Sequence, residues 1–248
     1  MRKININDTL VKKIYEDMKE KIVNLKLDFG KRIEIKKMIE EYGVSQTPIR
    51  EVLNMLMKDG LVINKTRRGY FIVDITPTDM SEIYDLRIMM ESYALRKGIL
   101  SIKRKKIEEL LESAREMVQE PVQPYKPKKY IDMDRELHLL IINSANNGRL
   151  RDMYLHIYPF VEISQQLDPS YERSMKEHIA IMESIIKGDL QKAVNFLNEH
   201  ITNCKNDGLK IINSGFSSIK IERNKEISSH NEVEELNEST EVFPEVGS

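Results

Sequence analysis

Asp134 and His138 stand four residues apart in a segment of helical periodicity, so both side chains lie on one face, one turn from each other. His178 and His200 fall in two further helical segments. One neutral imidazole from each of three helices plus a carboxylate is a donor set that suits a borderline divalent cation inside a bundle. Zn2+, Ni2+ and Mn2+ all qualify, and spacing does not choose among them. Taken singly, each histidine is more simply a packed or surface residue, and His156 and His230 are read that way. On spacing alone, the set of four stays open between a metal cage and ordinary core positions.

The same residues argue against catalysis. Cys204 follows His200 by four, and a Cys–His pair can form a nucleophile, but His200 is better used as a ligand and no general base stands beside it. A di-metal helical enzyme with an appended DNA-binding domain is the alternative reading. It requires Glu three residues before its histidines, and here Arg135, Met175 and Leu197 occupy those places. A third reading, an adaptor whose helical domain only dimerises, predicts that removing the four ligands changes neither stability nor regulation.

A second constellation points to DNA. Ser45, Gln46, Thr47 and Arg50 open a short helix that follows a glycine turn at Gly43, with Pro48 in its first turn. In a helix-turn-helix that end meets base edges. Arg50 can fork onto guanine O6 and N7, and Gln46 can pair with adenine N6 and N7. Ser45 and Thr47 can bond phosphates at the helix N-terminus. Lys36 reaches a phosphate from the preceding helix, and Lys65, Arg67 and Arg68 beside Gly69 form a basic loop able to follow the backbone or enter the minor groove.

These groups need elements to position them. Apolar residues at Leu10, Val11, Ile14, Met18, Ile22 and Leu25 predict a first helix over 10–25, with Asp8 or Thr9 as its cap. A second helix fits 35–42, and a third runs from Ser45 to about Asp59. Two β-rich runs, 61–63 and 70–73, flank the basic loop as a hairpin. Three helices and a hairpin make a winged helix-turn-helix. Beyond Pro77, helices are expected at 78–97, with Thr78 or Asp79 as cap and Met80, Ile83, Leu86, Met90 and Tyr93 on the inward face, and near 103–119, 130–145, 147–166, 171–187 and 189–213. Short links between them imply an antiparallel bundle. The fold class is therefore mostly α: residues 1–76 a winged helix-turn-helix, 77–216 an all-helical domain, and 217–248 a disordered acidic tail.

Charge follows the same division. Residues 1–76 hold 16 basic and 11 acidic side chains, net +5, and residues 217–248 hold 3 and 8, net -5, so the overall -1 hides a basic head. The single cysteine excludes an internal disulfide framework and suits a reducing compartment. No apolar core follows Arg2 and Lys3, and no run of about 18 apolar residues exists, so neither a secretion signal nor a membrane span is expected and a cytoplasmic protein is.

The stretch Tyr42-Gly43-Val44-Ser45-Gln46-Thr47-Pro48-Ile49-Arg50-Glu51-Val52-Leu53, followed by Leu56-Met57-Lys58-Asp59-Gly60-Leu61-Val62, resembles the DNA-binding signature of GntR-type regulators over residues 9–75. The resemblance places Lys36, Ser45, Thr47, Arg50, Arg68 and Gly69 at the family's DNA-contacting positions. Residues 77–213 resemble the FadR-type ligand-binding domain of the FCD group through Ile83-Tyr84-Asp85-Leu86-Arg87 with Glu91, Asp134-Arg135-Glu136-Leu137-His138, Asn147, Glu177-His178, Gly188-Asp189 and His200. That resemblance implies the metal-binding branch, with Asp134, His138, His178 and His200 as ligands and a small carboxylate effector that Arg87 can pair with. A salt bridge from Arg87 to a neighbouring acid is the equal alternative, and Asn147 is read as a helix cap. A homodimer on a palindromic double-stranded operator, acting as a repressor, is the function the resemblance implies.

One departure is testable. The family usually carries arginine where this chain has Gln46, so the preferred base there should shift from guanine toward adenine. Binding-site selection with the wild-type protein and with Gln46→Arg should give logos that differ at that position; identical logos would sink the assignment.

Overall fold

The computed structural model describes residues 6–120, 126–167 and 171–213. The segment 217–248 read as an acidic tail, together with His230, lies outside the described residues.

The head begins with α1 (Ile6–Val23), α2 (Ile35–Tyr42) and α3 (Gln46–Lys58), followed by β1 (Val62–Lys65) and β2 (Gly69–Ile72). In α1, Val11, Ile14, Met18 and Ile22 recur every three to four residues and are buried where the helix packs on α3. The helix departs from the expected 10–25 at both ends. It begins at Ile6, upstream of Asp8 and Thr9, whose side chains lie outside the described ones. It stops before Leu25, which takes φ 58° and turns the chain out of the helix. Leu10, expected in the stripe, stays 38% exposed.

Helix α2 ends as the sequence predicts, with Gly43 left-handed at φ 62° and ψ 34° and its N–H donating to Ile39 O. Helix α3 buries Pro48, Ile49, Val52, Leu53 and Leu56 on one face. Four of these are fully buried aliphatics, each worth roughly 1.5–3 kcal/mol. Strands β1 and β2 are antiparallel with Val62 opposite Ile72 and Lys65 opposite Gly69, which leaves a three-residue tip, Thr66 to Arg68, with Arg67 at φ 61°. A third short partner escaped the sequence reading. Arg32 bridges Phe71, Ile33 N donates to Tyr70 O at 2.9 Å and Ile72 N donates to Lys31 O at 3.0 Å. One bridge is too short to leave a periodic signal.

The helical domain comprises α4 (Pro77–Gly98), α5 (Arg104–Gln119), α6 (Lys128–Ser144), α7 (Gly148–Leu167), α8 (Tyr171–Ile186) and α9 (Leu190–Asn213). Helix α4 lies centrally against α6, α7 and α9, and α5 covers α8 and α6. The cap of α4 is Thr76, not Thr78 or Asp79. Pro77 occupies the first helical position, which its fixed φ favours, and Asp79 closes a capping box with Thr76. The inward face of α4 also differs from expectation. Met80, Ile83 and Met90 are buried, but Leu86 and Tyr93 are exposed, and the positions facing the bundle include Tyr84, Arg87, Glu91, Ala94 and Leu95. Two charged residues in the inward stripe rotate it away from any purely apolar pattern.

Packing of α4 on α6 is closest at Gly98, where an added Cβ would lie 2.2 Å from Ser144 O. Gly98→Ala should therefore cost about 2–3 kcal/mol through forced separation of the two helices. Gly148→Ala, where a Cβ meets nothing within 4 Å, should stay within about 0.5 kcal/mol of wild type. Urea unfolding of both variants is the check, and equal midpoints would refute the close approach.

Candidate metal centre and DNA-binding face

Asp134 and His138 lie on α6, His178 on α8 and His200 on α9, and all four side chains are buried. The helical spacing i, i+4 stacks Asp134 under His138, and antiparallel α8 and α9 bring the other two rings to the same point. One donor atom from each residue falls within 4.8 Å of every other. His178 Nε2 lies 3.1 Å from His200 Nε2 and 3.4 Å from His138 Nε2, and Asp134 Oδ1 lies 3.2 Å from His178 Nε2 and 3.8 Å from His138 Nε2.

The separations of 3.1, 3.2 and 3.4 Å fit a shared cation, while the 3.8 Å from Asp134 to His138 is wider. Nitrogens each about 2.1 Å from one metal ion sit ~3.0 Å apart at octahedral angles and ~3.4 Å apart at tetrahedral ones. The outer hydrogen bonds agree. His138 Nδ1 meets Glu91 Oε2 at 2.5 Å, and His200 Nδ1 meets Glu177 Oε2 at 2.8 Å. An ionised carboxylate only accepts, so each of these rings carries its proton on Nδ1 and turns the Nε2 lone pair inward. Gln165 donates to the second oxygen of Asp134. Lone pairs converging in a buried space repel one another unless a cation lies between them.

The protonation states follow. Burial lowers the pKa of His178, with the Asp134 hydrogen bond opposing, and burial together with His178 and His138 holds His200 well below its ordinary value. Burial by itself would raise Asp134, but its hydrogen bond to His178 and the nearby Arg87 guanidinium act against that and hold it far below the usual range. The three groups are thus poised as neutral, neutral and anionic, the forms a metal takes.

Arg87, on α4, is completely buried. Its Nε donates to Glu91 Oε1 at 2.6 Å, and Tyr154 OH donates to the same oxygen at 3.1 Å. Of the two readings of Arg87, the salt bridge to a neighbouring acid is present, through Nε only; Nη1 and Nη2 are buried with no hydrogen-bond partner among the described residues. Glu91 joins the two halves of the site, with one oxygen on Arg87 and the other on ligand His138. Glu91 and Glu177 enter the sequence analysis only as residues that carry the FCD resemblance, with no contact assigned to either. The i, i+4 spacing of Arg87 and Glu91 was the available signal for the first, whereas Glu177 is visible only once α8 packs on α9. Asn147 caps α7 through Leu150 N at 3.2 Å, His156 is exposed, and Cys204 Sγ lies 3.8 Å from His200 Nε2.

On the head, Lys36, Ser45, Gln46, Thr47, Arg50, Lys65, Arg67 and Arg68 are all exposed, and Gly69 at φ 92° follows the loop. Ser45 occupies the N-cap position but its hydroxyl makes no capping bond. The reason is local. Pro48 stands at the third helical position and so removes one of the two N–H groups, those of the second and third positions, that a capping side chain can take. The basic residues show the same bias. Lys12, Lys19, Lys21, Lys26, Lys31 and Lys37 each hold a carboxylate within the head, whereas none of Lys36, Arg50, Lys65, Arg67 and Arg68 has an ion-pair partner among the described residues. Lys65 lies 4.7 Å over the Phe71 ring, which holds the wing's charge outward.

Comparison with known proteins agrees with this division. Residues 10–72 match the model for bacterial regulatory proteins of the gntR family, and residues 82–203 match the FCD domain. The HTH-type transcriptional regulator YdhC of Bacillus subtilis is 27% identical over 197 residues, covering 75% of this chain and 85% of that protein. The gluconate operon transcriptional repressor of Bacillus licheniformis is 24% identical over 149 residues, covering 59% of each. Among solved structures, the FCD domain of TM0439 is 25% identical in both a metal-free form (TM-score 0.53, covering 57% of this chain and 99% of that one) and a Zn2+-bound form (TM-score 0.50, covering 55% and 96%).

Two outcomes follow for the cluster. Saturating Zn2+ at 100 times its Kd should raise stability by ~2.7 kcal/mol, and His178→Ala should abolish both that gain and any effect of a chelator; a mutant that melts like wild type with metal still bound would refute the assignment. In the metal-free protein, the unfolded histidines take up protons near pH 6.5 that buried His178 and His200 resist. Stability should then be fully present above that pH and fall below it, and urea titrations in chelator from pH 7.5 to 5.5 test the sign.

Proposed function

Because this chain belongs to the GntR family of bacterial regulatory proteins, joining a GntR-type DNA-binding domain to an FCD domain, we propose that it is a repressor whose grip on its operator is set by a small carboxylate bound beside a metal ion. Family and relatives are transcription regulators, not enzymes. In this reading residues 1–76 form the DNA-binding domain and 77–216 the effector domain, and the protein works in the cytoplasm. No described helix is long and apolar enough to cross a membrane.

The observation that carries the carboxylate is Arg87. A buried guanidinium with two unpartnered nitrogens is costly unless an anion completes it. Glu91 takes only Nε, so the end-on edge of Nη1 and Nη2 stays open for a bidentate carboxylate. Charge points the same way. With neutral histidines, Arg87, Glu91 and Asp134 sum to -1; a divalent cation makes the site +1, and one carboxylate returns it to neutrality. Asp134, His138, His178 and His200 would hold the cation, which when bound supplies a Lewis-acidic docking point for an oxygen ligand. Zn2+ is supported by the bound form of TM0439, with Ni2+ and Mn2+ compatible with the same donors.

On DNA, Gln46 and Arg50 would read base edges, Ser45, Thr47 and Lys36 would hold phosphates, and Arg67, Arg68 and Gly69 would place the wing. A homodimer would present two heads to palindromic half-sites about 34 Å apart. An exposed apolar stripe on α4, Leu86, Met89 and Tyr93 at helical spacing, supports self-association. Repression is supported by the gluconate operon relative.

The test uses Arg87→Lys, which keeps the buried charge beside Glu91 but lacks the two Nη donors. Wild-type protein loaded with Zn2+ should be stabilised by members of a panel of small mono- and dicarboxylates. The variant should keep its metal, by mass spectrometry, while losing about tenfold or more in carboxylate affinity. Unchanged affinity would remove Arg87 from the site.

A further inference from the structure

We infer that helix α7 is the element through which the buried site acts on the DNA-recognition helix; the inference rests on the metal-and-carboxylate reading of that site. One helix serves both places. Toward the site, Tyr154 OH donates to Glu91 Oε1 at 3.1 Å, Gln165 donates to Asp134, and Ser164 Oγ lies 2.6 Å from Tyr84 OH on α4. Toward the head, the Phe160 ring lies on Gly60, close enough that a Cβ there would come 3.1 Å from Phe160 Cζ. Gly60, at φ 73°, is in the turn that ends recognition helix α3.

The contact lands on a braced point. Asp59, the residue before Gly60, accepts from Tyr15 OH and from Lys19 Nζ at 3.2 Å, so the end of α3 and the middle of α1 form one unit. Glu162 sits beside it, held by Arg135 of α6 at 3.5 Å, with the Lys19 charge acting on it from across the domain boundary. A shift of α7 therefore bears on α1 and α3 together.

The helix is also built to bend. Pro159 has no N–H, so the hydrogen bond to the carbonyl four residues back is missing. That gap follows Tyr154, and the segment after it carries Phe160 on the head together with Ser164 and Gln165 at the site, so a move of Gln165 is passed to Phe160 within one stretch of helix. The drive comes from the ligands. Asp134 Oδ1 is 3.8 Å from His138 Nε2, longer than the ~3.0–3.4 Å of two donors on one ion. Closing that distance moves Asp134, and Gln165 is hydrogen-bonded to it.

Hydrogen exchange of the full-length protein, with Zn2+ as the probe and with chelator, tests this. Exchange at residues 15–19 and 58–62 should shift by roughly fivefold or more on Zn2+ binding. In Phe160→Ala the Zn2+ content should stay as in wild type, with the exchange response kept in α6, α8 and α9 but lost in the head. Phe160→Leu, which keeps an apolar contact on Gly60, should restore part of the head response and guards against a variant that merely folds poorly. If wild type binds Zn2+ through His178 and the head does not respond, or if both Phe160 variants respond like wild type, α7 is not the connection. If no Zn2+ binds at all, the metal reading itself fails, and this inference falls with it.

Discussion

Arg87, Glu91, Asp134, His138, His178 and His200 are buried together at the centre of the helical domain, and a bundle core tolerates such a set only if nearly every charge and lone pair is answered. Much of the domain's arrangement follows from that demand. Glu91 spends one oxygen on Arg87 and Tyr154 and the other on His138. Glu177 and Gln165 close the far sides of His200 and Asp134. What is left unanswered in this set is the inward group of donors, Nδ1 of His178 and two nitrogens of Arg87. In the proposed reading a cation and a carboxylate side by side complete that remainder.

The head obeys an opposite rule. Its own acids pair with Lys12, Lys19 and Lys21 of α1, Lys26 and Lys31 of the following loop and Lys37 of α2, while Lys36, Arg50, Lys65, Arg67 and Arg68 have no carboxylate partner among the described residues. Ser45, at the N-cap of α3, likewise makes no side-chain bond to its own helix, and Pro48 removes one of the N–H groups it could have taken. Charge and hydrogen-bonding capacity are withheld from internal use and presented outward, which suits a polyanion held mainly through its backbone.

Between the two units α7 packs on α1, and a glycine at the end of α3 admits an aromatic ring from α7; within the head, Asp59 ties α3 to α1. Interfaces of this kind have discrete packings and can be biased by small changes at either side. Continuous deformation of the cores is not required.

Much of this was legible in the chain. Helix ends at Gly43 and Gly188, the capping Asn147, the apolar face of α3 and the β-rich runs all depend on interactions within a few residues, and those are written locally. So is the recognition face, which occupies one continuous stretch, and the i, i+4 pair of Asp134 and His138. The inward face of α4 was misread because Arg87 and Glu91 count as surface residues in any apolar pattern, and their burial is stable only after α6 and α7 bring His138 and Tyr154 to them. The third bridge of the wing, the meeting of His178 with His200, the half-used state of Arg87 and the seat of Phe160 on Gly60 likewise join residues far apart in the chain. Their geometry is set by how helices pack, which no local periodicity encodes.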